Sequence, residues 1–96
     1  MTSMTPGRGR FLSIEGVDGA GKSTQLPRIE SWLRGRGTRT LATREPGGTP
    51  LGESLRTVLL DPRFTGMSPV AELLVVFAAR AEHLANVISP AIEDGV

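Results

Sequence analysis

Cysteine is absent from these 96 residues, which excludes disulfides and thiolate metal sites and agrees with a reducing compartment. An excess of either charge is missing too. The formal net charge of +1 gives no overall attraction to nucleic acid or to an anionic membrane, and neither is expected as a partner. The longest apolar run, residues 73–79, is far too short to cross a bilayer. Residues 1–10 hold Pro, Gly and Arg without an apolar stretch, so they lack the pattern of a secretory signal and read as a flexible lead-in. Internal repeats and low-complexity segments are also lacking. What is present, 39% apolar and 22% charged residues, fits one small soluble domain over residues 11–96, of cytoplasmic type.

The most informative stretch is Gly16-Val17-Asp18-Gly19-Ala20-Gly21-Lys22-Ser23-Thr24, which fits the spacing G-x-x-x-x-G-K-[ST]. The glycines allow backbone angles that a Cβ forbids, so successive amide N–H groups can turn inward as an anion-sized nest. A helix starting here directs its positive dipole end and its unpaired N–H groups at the same place. In this motif Lys22 bridges the β- and γ-phosphate oxygens of a nucleotide and the Ser23 hydroxyl ligates Mg²⁺. The flanks agree. Residues 11–15 read as an apolar strand entering the loop, and Leu26, Ile29, Trp32 and Leu33 follow at helical spacing.

Helix 1 is expected from about Gly21 to Arg34, ending at Gly35 or Gly37, either of which suits a left-handed C-cap. Pro27 lies beyond the first turn and should bend it. Trp32 reads as core or interface packing, and Arg34, Arg36 and Arg39 as a solvated turn. Residues 39–44 read as strand 2, broken by Glu45-Pro46-Gly47-Gly48. Thr49 then suits an N-cap with Pro50 at the first helical position. Helix 2 carries Leu51, Leu55, Val58 and Leu59 on one face and stops before Asp61-Pro62. Ser68-Pro69 repeats the cap-then-proline signal and opens the longest helix. Its expected apolar face is Leu73, Leu74, Phe77, Ala81, Leu84 and Ile88; Pro90 should kink or restart it and Gly95 end it. The order β-α-β-α-α with short connections implies an α/β domain with a parallel sheet.

The phosphate loop alone leaves ATPases, GTPases and small-molecule kinases open. Three stretches narrow the choice: FLSIEGVDGAGKSTQ (11–25), TREPGGTPLGE (43–53) and ELLVVFAARAEH (72–83). In this order and spacing they closely resemble bacterial thymidylate kinases, and TREPGG is the most specific of the three. The resemblance implies a P-loop nucleoside-monophosphate kinase fold, a parallel sheet with flanking helices, and transfer of the γ-phosphate of ATP to dTMP. Other implied possibilities are a P-loop kinase for a different small phosphoacceptor and a non-catalytic nucleotide-binding module.

By the resemblance, Gly16, Val17, Asp18, Gly19, Ala20, Gly21, Lys22, Ser23 and Thr24 hold ATP, with Ser23 on Mg²⁺, and Asp18 lies near the acceptor's sugar. Glu45 and Pro46 line the acceptor pocket, and Arg56 grips the acceptor phosphate, where a planar fork suits bidentate contact. Arg80 meets the thymine edge. Many members place the base-stacking aromatic four residues before that arginine, which is Val76 here; Phe77, three before, lies on roughly the same helix face and is the candidate. Lys22 and Arg56 are the expected catalytic groups. His83 is expected in a surface or capping role with no catalytic part. Family members are homodimeric and longer: past the segment matching 94–96 they enter a third strand ending in an Asp-Arg pair, followed by an arginine-bearing lid. That strand lies between strands 1 and 2. We therefore expect the 96 residues alone to be truncated before strand 3, marginally folded and inactive, since each buried backbone group without a partner costs roughly 1–3 kcal/mol.

Overall fold

Four helices, with a short 3₁₀ turn and a π turn among them, make up the regular structure of the computed structural model. It describes residues 8–16 and 21–96, Lys22 by its backbone only. The helices are α1 (Lys22–Gly35), α2 (Pro50–Leu60), α3 (Pro69–His83) and α4 (Ser89–Glu93), with the 3₁₀ turn at Pro62–Phe64 and the π turn at Leu84–Ile88. Two compact units are formed: one from the stretch up to Ala42 together with Ala91–Val96, the other from Thr43–Pro90.

The helix ends follow local chemistry closely. α1 stops in a left-handed turn at Gly37 (φ 82°), where the Thr38 N–H reaches the Leu33 carbonyl at 3.1 Å and the Gly37 N–H reaches Arg34 at 3.0 Å. That pair of bonds is a Schellman motif, and it satisfies carbonyls that the helix leaves without donors. The same pattern closes α4. Val96 N–H bonds Ala91 O at 2.9 Å, Gly95 N–H bonds Ile92 O at 3.1 Å, and Gly95 has φ 84°. The Thr49 hydroxyl accepts from the Gly52 N–H at 2.8 Å and the Ser68 hydroxyl from Ala71 at 3.2 Å, each followed by proline at the first helical position. Asp61 does the same for the 3₁₀ turn through the Arg63 N–H at 2.9 Å.

α1 runs uninterrupted through Pro27. At Pro90 the backbone changes register just ahead of the proline: the Ser89 N–H reaches back to Leu84, a π spacing, over the turn where the proline lacks a donor. The Asn86 side chain amide donates to the Glu82 carbonyl there, at 3.1 Å.

Two expectations are corrected. Residues 11–16 and 38–44 are irregular where strands were expected, and no strand of the expected parallel sheet occurs among the described residues. A strand exists only through ladder bonds to a neighbour, and the resemblance itself sets a third strand, from outside these residues, between these two. The apolar face of α3 is also different from the expected one. Leu73, Leu74, Phe77, Ala81 and Leu84 are exposed, whereas Ala79 (0%) and His83 (1%) are buried; of the expected face Ile88 (7%) is buried as read. The segment LLVVFAA is apolar all round, so spacing does not choose its packed face. α2 packs on α3, and Ala79 is fully buried. Trp32, expected in core or interface packing, is 61% exposed and so not in a core, with the Arg36 guanidinium 4.8 Å from its ring centre.

Candidate functional site

In the first unit, α1 opens directly after Gly21, whose φ of 83° is left-handed. Its first turn has no side-chain cap and no acidic residue, and the Thr24 and Gln25 N–H groups return to the Gly21 carbonyl at 3.1 and 3.0 Å. An uncapped N-terminus of this kind leaves N–H groups and the positive dipole end available to an anion. Ser23 and Thr24 are exposed on this turn, so a hydroxyl is at hand for a hard cation such as Mg²⁺ beside a bound phosphate. Val17, Asp18, Gly19, Ala20 and the Lys22 side chain, all expected in the phosphate-binding set, lie outside the described residues.

In the second unit the segment 43–48 is held between α2 and α3 by a continuous set of side-chain bonds. The Glu45 carboxylate uses both oxygens: Oε1 accepts from Arg80 Nε at 2.7 Å and Oε2 from His83 Nδ1 at 2.9 Å. On the far side of the imidazole, Nε2 lies 2.6 Å from the Thr43 hydroxyl. Because a carboxylate only accepts, Nδ1 carries the proton in the neutral ring, and the Thr43 O–H donates to Nε2. Every polar atom of this buried ring is thereby satisfied.

Glycines make the approach possible. A Cβ on Gly48, whose φ is 83°, would stand 2.4 Å from His83 Nε2 and 2.7 Å from the Thr43 hydroxyl. A Cβ on Gly47 (φ 140°) would meet the Glu53 carboxylate at 2.2 Å. Glu53 in turn accepts from the Gly48 N–H at 2.9 Å and pairs with Arg44 at 2.5 Å. The Glu45–Pro46 peptide is cis, and the Pro46 carbonyl accepts from Arg56 Nη1 at 3.1 Å. Arg56 is half-buried and has no carboxylate in ion-pair range among the described residues. Its other guanidinium N–H groups are thus not committed to an ion pair. Phe77 is 53% exposed one turn before Arg80, whose guanidinium carbon lies 5.9 Å from the ring centre.

The carboxylates here are held ionised. Arg44, by hydrogen bond, and the Gly48 N–H hold the Glu53 carboxyl down at about 2. Burial pushes Glu45 upward, but the bonds from His83 and Arg80 outweigh it and leave the carboxyl below its usual range.

Of the residues expected at the acceptor side, Glu45, Pro46, Arg56, Phe77 and Arg80 all fall in this one unit, where hydrogen bonds join Glu45 to Arg80 and Pro46 to Arg56. His83 is a correction. It is buried between Glu45 and Thr43, where a surface or capping role was expected. Thr43, Arg44 and Glu53 were not singled out by sequence reasoning. The available signal was the TREPGG block, whose glycines require something close behind them, and the spacing of three between Arg80 and His83 on one helix face.

Comparison with known proteins gives a family. The thymidylate kinase family model matches residues 14–96. A thymidylate kinase of Halorhodospira halophila is 57% identical over 89 residues, covering 92% of this chain and 41% of that protein. One of Nitrosospira multiformis is 56% identical over 88 residues (92% and 42%), and one of Pseudomonas syringae pv. tomato 55% over 87 residues (91% and 41%). The chain thus spans about two fifths of the length of the curated relatives it matches, at 41% or 42%. That family has a P-loop kinase fold, which accounts for both the uncapped start of α1 after Gly21 and the glycine-dependent packing of TREPGG. The chain belongs to the thymidylate kinase family.

Proposed function

We propose that the protein carrying this chain transfers the γ-phosphoryl group of ATP to dTMP, giving dTDP and ADP, in the cytoplasm and as a homodimer. In this reading residues 11–96 are the first part of one P-loop kinase domain whose parallel sheet is completed by further chain. The observation that carries it is the family match together with the acceptor-side set, in which Arg56 is anchored on the Pro46 carbonyl and Arg80 on Glu45.

An acceptor phosphate oxygen attacks the γ-phosphorus while the bond to the β–γ bridging oxygen breaks, and ADP leaves with that electron pair. The acceptor is already ionised, so no general base is required, and the residues act by position and charge. The amides of the loop Gly16–Thr24 and the Lys22 ammonium hold the donor phosphates. Ser23 would hold Mg²⁺, which supplies neutralisation of the phosphate charge. Arg56, fixed through one N–H to a backbone carbonyl, presents its remaining donors to the dTMP phosphate. Phe77 stacks on the base, Arg80 contacts its edge, and Asp18, Glu45 and Pro46 complete the pocket.

The test is ADP release by the full-length protein with ATP, Mg²⁺ and each nucleoside monophosphate. Turnover is expected with dTMP far above the others, and Arg56→Ala should raise the KM for dTMP by about 10- to 100-fold, the loss of a charge-assisted bidentate contact. Absence of dTMP-dependent turnover, or preference for a non-thymine acceptor, overturns the reading.

A further inference from the structure

We propose that His83 is a positioning residue for the acceptor base, acting through Glu45 on Arg80. The proposal rests on the dTMP reading above and goes beyond it, because His83, 1% exposed, is buried away from any bound substrate.

Glu45 bridges two residues of α3: its Oε1 takes the Nε–H of Arg80, and its Oε2 takes the Nδ1–H of His83. With both oxygens engaged, Glu45 acts as a strut at the pocket wall, and the charged group beside it with donors to spare for a ligand is the Arg80 guanidinium, which is about half exposed. A carboxylate on a three-bond stem can rotate. The buried imidazole stops it, since the ring is itself fixed at its other nitrogen by Thr43 at 2.6 Å and backed by Gly48. The orientation of the Arg80 fork is therefore set by a relay Thr43–His83–Glu45–Arg80 that runs from the loop to the helix and back. An alternative with a merely packed ring would not need a proton at Nδ1. The observed pairing does, because only a donor can meet Oε2. This makes the function of His83 separable from its volume: a donor at the Nδ1 position keeps the strut, and one at the Nε2 position does not.

Asparagine and glutamine provide that separation, as the Asn amide N falls near Nδ1 and the Gln amide near Nε2. The experiment measures KM and kcat for dTMP and for ATP in the full-length wild type and in His83→Asn, His83→Gln and His83→Phe, with thermal melts alongside. His83→Gln and His83→Phe should raise the KM for dTMP about tenfold or more, with the KM for ATP within about twofold, the cost of a slightly misplaced positioning group. His83→Asn should restore the dTMP KM to within about threefold of wild type even where its melting point falls, since the cavity it leaves affects stability and not the donor. Should the large variants fail to fold, Thr43→Val, which frees Nε2 without touching Glu45, should give a smaller rise in dTMP KM alone. Equal KM values for His83→Asn and His83→Gln, parallel changes for dTMP and ATP, or an unchanged His83→Phe would overturn the positioning role. If the wild type itself does not turn over dTMP, the activity reading fails and this proposal falls with it, an outcome that the wild-type control distinguishes from the others.

Discussion

The two units of this chain differ in how much of each is helical, Thr43–Pro90 being mostly helix, and they are held in different ways. In Thr43–Pro90, α2 and α3 pack on each other, and the segment between Thr43 and Gly48 is tied to both through Glu45, Glu53 and Arg56. All buried residues among those described belong to this unit. The other unit has one long helix, two irregular segments, and bonds at its edges: Arg34 to Glu30 and Thr40, Arg39 to Asp94, and Gly9 N–H to Ile92 at 2.7 Å. Phe11, Leu12, Trp32 and Leu41 stay more than half exposed there, at 62%, 66%, 61% and 55%. The lesson is that a helical hairpin with a polar clamp can satisfy itself from nearby residues. Strands cannot, because each needs a second strand brought from elsewhere before its backbone groups and its apolar face have partners.

Substitutions that act differently in the two units sharpen this contrast. The largest effect is expected at Gly48. Gly37 and Gly48 have nearly the same backbone angle, φ 82° and 83°, but a Cβ at Gly37 meets nothing within 4 Å and one at Gly48 meets His83 at 2.4 Å. Gly48→Ala should cost about 2–4 kcal/mol from left-handed strain plus overpacking, and Gly37→Ala only about 1 kcal/mol from strain alone. Denaturant unfolding of the full-length variants measures both; equal losses would remove the distinction between the units.

Thr49→Ala comes next. It deletes the cap of α2 at a position 6% exposed and should lose about 1–2 kcal/mol in the same unfolding measurement.

The Glu53 carboxyl supplies a pH signature of the clamped unit. Its folded value of about 2 lies below its ordinary 4.5, so its contribution is fully present above about 4.5 and disappears as pH falls toward 2. Melting points of wild type and Glu53→Gln should differ most near neutral pH and converge through that window. A gap that stays constant with pH would show that the Arg44 and Gly48 contacts do not hold the carboxylate ionised.

The smallest effect belongs to the other unit. Arg39→Ala removes a pair in which both side chains are well over half exposed, and should change stability by less than about 1 kcal/mol, disappearing in high salt.

Several features were legible because they depend on residues adjacent in the chain. Thr49-Pro50 and Ser68-Pro69 opened α2 and α3 as read, and Asp61-Pro62 ended α2. Gly37 and Gly95 closed α1 and α4. Each signal is a side-chain oxygen, a missing N–H or a missing Cβ acting within one turn. The face of α3 was not legible, because LLVVFAA offers apolar side chains in every direction and only tertiary packing decides that Ala79 is the one fully covered. The strands at 11–15 and 39–44 have the right composition, but composition does not provide a neighbour.

The candidate site divides along the same line. The phosphate-loop spacing could be read from the motif, and Glu45, Arg56 and Arg80 could be named as acceptor-side candidates from the resemblance. That His83 is a buried member of the same set could not, since its partners Glu45 and Thr43 lie 38 and 40 positions away. The sequence by itself determined the family, the helix boundaries and the chemical types at the site, because those follow from identity and local spacing. Tertiary structure decided which surface of α3 is covered, which glycine is crowded, and that a lone histidine is buried against the segment 43–48. Those outcomes depend on distances between segments far apart in the chain, where packing and the pairing of buried polar atoms, rather than local preference, set the lowest free energy.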